Sequence, residues 1–130
     1  MTLEAFLKQN AVSVDNRKCV VSERFAVDGI AVNWEYRAIT SAEDEEIRKV
    51  CLKKGGDFDV DKCLGLLMAE CTVFPDLKDM SLQDSYGVMG EDTLLKTMLT
   101  PGEYASYLEK IQEINGFEAD MKDLVATAKN

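Results

Sequence analysis

Leu94 to Gly116, LLKTMLTPGEYASYLEKIQEING, carries the clearest start and stop signals in the chain. Thr100 is a capping residue, and Pro101 follows at the first helical position, where a missing N–H costs nothing. Glu103 stands three residues after Thr100 and completes a capping box. Tyr104, Tyr107, Leu108, Ile111 and Ile114 then recur at helical spacing, and Gly116 supplies a left-handed stop. Just upstream, Leu94, Leu95, Met98 and Leu99 place a second apolar patch on a shorter helix. The pair reads as a docking core with no catalytic group in it.

Working outward from that core, Val60 to Val73 is the most apolar helix, with Cys63, Leu64, Leu67, Met68 and Cys71 inward and Pro75 ending it. Asp59 caps it, and Gly65 inside it implies close packing against a neighbour. Ser41 opens an earlier helix with Asp44, and Ile47, Val50 and Cys51 form its inner stripe; Ser81 and Asp84 cap a short one. Before these, Cys19–Phe25 and Ile30–Thr40 are the strand pair, with Asp28-Gly29 as a hairpin turn. Trp34 and Tyr36 share one face of the second strand with Val32 and Ala38. A lone hairpin is marginal in water, so that face needs cover from the chain's own helices, a third strand or another subunit. This leaves a homo-oligomer and edge pairing open. Leu3, Phe6 and Leu7 make a short amphipathic helix or arm with Thr2 as its cap, and residues 1–17 form a flexible N-terminal arm. Met121, Leu124, Val125 and Ala128 mark a last amphipathic helix. The expected fold is α+β, mainly α: one β-hairpin at about residues 19–40 followed by about five short helices, a single domain over 1–130.

Composition narrows the function. The chain has 130 residues and a formal net charge of −9, which repels phosphate backbones and anionic membranes. Nucleic acid is therefore disfavoured as a partner. No apolar run is long enough to span a membrane. The N-terminus lacks a signal-peptide pattern, since Glu4 interrupts its apolar stretch. A cytoplasmic protein is expected. The four cysteines have no CxxC spacing and fit buried thiols in a reducing compartment. There is no histidine, so the commonest general base is missing. No phosphate loop is present, and Asp57, Asp59 and Asp61 lack the Gly and distal Glu of a calcium loop. The residues give no catalytic site, cofactor or metal, and point to a protein that binds another protein.

Four stretches, MTLEAFLKQN, VSERF, NWEYRAITSAEDEEIRK and LQDSYGVMGEDTLLKTMLTPGEYASYLEKIQEINGF, resemble the XkdN-like tail assembly chaperones of phages and PBSX-type prophages. The resemblance covers most of the chain and is most specific in the last stretch; Gly55 to Asp61 departs from the pattern. It implies a non-enzymatic protein of the host bacterial cytoplasm. Such a protein would coat the tape-measure protein while tail-tube subunits are recruited around it. Its expected contact residues are Leu3, Phe6 and Leu7, Trp34 and Tyr36, and Met121, Leu124 and Val125. Two other readings stay open: a structural tail component retained in the virion, and a small acidic phage protein that binds a host factor.

Overall fold

The computed structural model describes residues 2–117. Its central strand, β4 (Trp34–Tyr36), lies between β1 (Arg17–Cys19) and β5 (Thr72–Phe74) in an antiparallel sheet ordered β1-β4-β5. Arg17 faces Tyr36 and Cys19 faces Trp34 on one side. On the other, Tyr36 faces Thr72 and Glu35 faces Phe74 across a bulge. The expected turn is present: β2 (Ala26–Val27) and β3 (Ile30–Ala31) pair around Asp28 and Gly29. Both turn residues have left-handed backbone, φ 52° and 77°, as a two-residue type I′ loop requires. The strand pairing beyond the turn differs from the sequence reading. The hairpin bonding ends where the Val32 N–H donates to the Phe25 carbonyl at 2.8 Å, residues 20–24 do not continue it, and Trp34 pairs with the earlier segment at Cys19.

Five helices complete the described chain: α1 (Ser41–Cys51), α2 (Val60–Cys71), α3 (Met80–Ser85), α4 (Glu91–Met98) and α5 (Pro101–Ile114). The box at α5 is as read: the Thr100 side chain accepts from the Glu103 N–H, and Glu103 accepts from the Thr100 N–H at 2.8 Å. Asp59 likewise caps α2. At α1 the cap is Thr40 with Glu43, one residue before the expected pair, and at α3 it is Asp79 instead of Ser81. The helix at Val60 ends at Cys71, two residues early, because Thr72 and Val73 enter β5.

The core is a cluster of Trp34, Tyr36, Leu67, Met68, Cys71, Leu77, Leu94, Leu95, Met98, Leu99, Tyr107, Ile111 and Ile114 with their neighbours. The Trp34 ring meets Tyr107 edge-on at 5.3 Å and Phe25 at 5.8 Å. So the chain covers its own sheet face with α5 and Phe25, while a third strand pairs with the edge of β4. Gly65 packs against α4, where an added Cβ would stand 3.2 Å from Asp92 Cβ. Asn115, just past α5, accepts from the Ile39 N–H at 2.9 Å and donates to the Ile111 carbonyl, which ties the β4–α1 connection to the helix end.

Two elements present more apolar surface than their spacing implied. Val50 points outward from α1, so that helix buries only Cys51 fully. The N-terminal arm forms a single 3-10 turn, Glu4–Phe6, with no side-chain cap from Thr2 or Leu3 and no buried residue.

Candidate functional site

α2 and α5 both contribute residues to the core. Two hollows that share Leu64 open beside them, the first also bounded by Lys96 of α4 and the second by Asp44 and Arg48 of α1. One, of about 480 Å³, lies at the start of α5 and is lined by Asp61, Leu64, Lys96, Leu99, Pro101 and Tyr104. The other, of about 350 Å³, lies at its end, with Phe58, Val60, Cys63, Leu64, Leu67 and Phe117 as its apolar wall. Adjoining at Leu64, they form a discontinuous groove beside α5, with Pro101 and Tyr104 lining one part and Gln112 and Phe117 the other. Helical periodicity builds it: α5 turns Tyr107, Ile111 and Ile114 into the core, leaving Tyr104 and Gln112 half-buried on the adjoining face.

The groove's chemistry is that of a contact surface. Its apolar floor is edged by an ion pair, Arg48 with Asp44 at 2.9 Å, and by Lys96, whose ammonium donates to the Asp61 carbonyl oxygen at 3.1 Å. The Tyr104 hydroxyl is buried there without a hydrogen-bond partner, and burial, reinforced by Asp61 and Asp92, raises its pKa. Burial pushes the Cys51 thiol up to about 12 and the Cys71 thiol up to about 11, so both stay protonated at neutral pH and are poor nucleophiles. Among the described residues, no group of three His, Cys, Asp or Glu side chains is placed to hold a metal. No described helix is long and apolar enough to cross a membrane.

The residues singled out from sequence fall into three places. Leu3 and Phe6 are 76% and 80% exposed on the arm, with Leu7 beside them. Trp34 and Tyr36 are 2% and 5% exposed inside the core, where they join sheet to helices, and offer no outward surface in this fold. Met121, Leu124 and Val125 lie outside the described residues. Neither the arm residues nor Trp34 and Tyr36 line either hollow of the groove. The groove itself was missed, because Cys63 and Leu64 sit on the same helical stripe as the true core residues Leu67, Met68 and Cys71. A second exposed apolar pair, Val27 and Ile30, faces across the hairpin tip.

The fold and this surface define a small α+β protein whose distinctive feature is an apolar groove suited to another polypeptide. Residues 3–129 match the family model described as phage XkdN-like tail assembly chaperone protein, and the chain belongs to that family. It is 31% identical to the phage-like element PBSX protein XkdN of Bacillus subtilis (strain 168), with 98% of this chain and 93% of that protein covered. It is 30% identical, at the same coverage, to the protein YqbN of the same strain. A crystal structure of the protein YqbN superposes with a TM-score of 0.81 at 28% identity, covering 90% of this chain and 98% of that one. Membership implies protein partners in phage tail assembly.

Proposed function

We propose that this protein binds the tape-measure protein in the host bacterial cytoplasm and holds it soluble while tail-tube subunits are recruited around it. It acts as a non-enzymatic chaperone. The observation that carries the reading is the α2–α5 groove, apolar along its floor and polar at its rim. A long helical protein with an apolar stripe would aggregate if left uncovered, and a helix laid in a groove is a recurring way to cover such a stripe. The net charge of −9 keeps the resulting complex dispersed. The exposed arm at Leu3, Phe6 and Leu7 supplies a second apolar contact, separate from the groove.

Co-expression tests this. With the wild-type protein, the tape-measure protein of the same phage should move from the pellet to the soluble fraction. The double variant Phe58→Asp, Val60→Asp should lose that effect while keeping its own fold, since both residues are exposed at the groove. Mass spectrometry of finished particles should lack the protein; its presence at stoichiometric level would favour a structural tail component.

A further inference from the structure

We propose that Cys51 and Cys63 form a reversible dithiol–disulfide pair, which a low-molecular-weight disulfide oxidises and which then staples α1 to α2. The connection between the two helices brings these residues together. The Asp59 N–H donates to the Cys51 carbonyl at 3.0 Å, and Leu52 and Phe58 form an antiparallel bridge beside it. Asp59 also caps α2, and its carbonyl accepts from the Cys63 N–H at 3.0 Å. The last residue of α1 and the first turn of α2 therefore share one anchor. Their thiols are neighbours: after burial, Cys63 is the next cause of the raised Cys51 pKa.

Access divides the work between them. Cys63 is half-buried and lines the second hollow, within reach of a small reagent, whereas Cys51 is 1% exposed. The Cys63 thiolate attacks one sulfur of the reagent, whose S–S bond breaks and releases a small thiolate with the electron pair. Cys51 then attacks the Cys63 sulfur and expels the second small thiolate. The two protein protons end on the two released thiols, so one disulfide is reduced as another forms. Ionised Cys51 is scarce, about one in ten thousand at pH 8 for a pKa of about 12. An oriented intramolecular attack has an effective molarity of up to about 10⁵–10⁸ M, which outweighs that scarcity. Capping Cys63 also removes the thiolate charge that helps to hold Cys51 up. Cys71 does not compete for the reagent: it is 0% exposed, and the Asn115 amide donates to its sulfur at 3.5 Å.

The test uses the full chain and bis(2-hydroxyethyl) disulfide as the reagent. The folded protein should lose about 2 Da, peptide mapping should join the Cys51 and Cys63 peptides, and dithiothreitol should restore both thiols. In Cys51→Ser the reagent should remain on Cys63 as a mixed disulfide, at least about tenfold longer-lived than in the wild type. Unfolding in concentrated urea removes the adjacency, so the preference for this pair should vanish there. A mixed disulfide that is equally long-lived in both proteins overturns the proposal. So does a bridge to Cys19 or Cys71 in its place, or the same pairing in urea. The staple is read on the wild type by hydrogen exchange. The Lys53 and Asp59 N–H groups, which bond to the Asp57 and Cys51 carbonyls, should exchange at least about threefold more slowly once the bridge constrains the connection. Unchanged exchange at both overturns the stapling.

Discussion

Tyr107 is where sheet and helices meet. Its ring is edge-on to Trp34 and to Tyr36, at 5.3 and 5.9 Å. Its hydroxyl lies 2.6 Å from Thr72 Oγ1, whose own proton goes to the Met68 carbonyl at 2.7 Å, so Tyr107 is the donor. Tyr107→Phe should cost about 1 kcal/mol by loss of that bond, and Tyr107→Ala about 3–5 kcal/mol by cavity formation. Urea denaturation checks both, and a neutral Tyr107→Ala would contradict the assigned core. A second residue links stability to pH. The Arg37 guanidinium, with help from the Thr40 N–H, holds the Glu43 carboxyl down to about 2. A carboxylate depressed in the folded state stabilises above its unfolded value of about 4.3 and loses that contribution as pH falls. The melting temperature of Glu43→Gln should therefore lie below wild type at pH 7, and the gap should close between about pH 4 and pH 2. A gap that widens on acidification would contradict the pairing.

At the scale of elements, α2 is held closest to α4, and Gly65 is what lets them approach. Ala in its place would gain up to about 1 kcal/mol of helix propensity. Against that, its Cβ would meet Asp92 Cβ at 3.2 Å and Lys96 Cε at 3.1 Å. Lys96 can swing away; Asp92 Cβ is fixed to the backbone of α4, so overpacking of about 1–3 kcal/mol outweighs the gain. Gly65→Ala should lower the melting temperature, and a rise would show that α4 shifts freely. This contact was legible in sequence because a glycine inside an apolar helix has few other uses. The Thr100 box was legible because every atom it needs lies within four residues. The α1 start was off by one, since Thr40 and Ser41 both cap and Glu43 and Asp44 are both acids three residues on. Strand β5 was not legible: Thr72 and Val73 extend an apolar helical run, and only pairing with residues 35 and 36, far back in the chain, makes them a strand. The groove was hidden for the same reason. Spacing along α2 says that Leu64 shares a face with Leu67, but not how far away α5 stands.

At the scale of the whole molecule, the interior holds the shape and the α2–α5 groove is the surface proposed to hold a partner. Arg24 donates to the Met98 carbonyl at 2.8 Å and pairs with Glu103, fixing the hairpin base to the start of α5. Hydrogen exchange with and without bound tape-measure protein decides whether the groove is the partner site. Slowed exchange over residues 58–67 and 101–117, with the hairpin tip at Val27–Ile30 unchanged, is the expected footprint. Protection confined to the hairpin tip or the N-terminal arm, with both flanks of the groove exchanging as before, would contradict it.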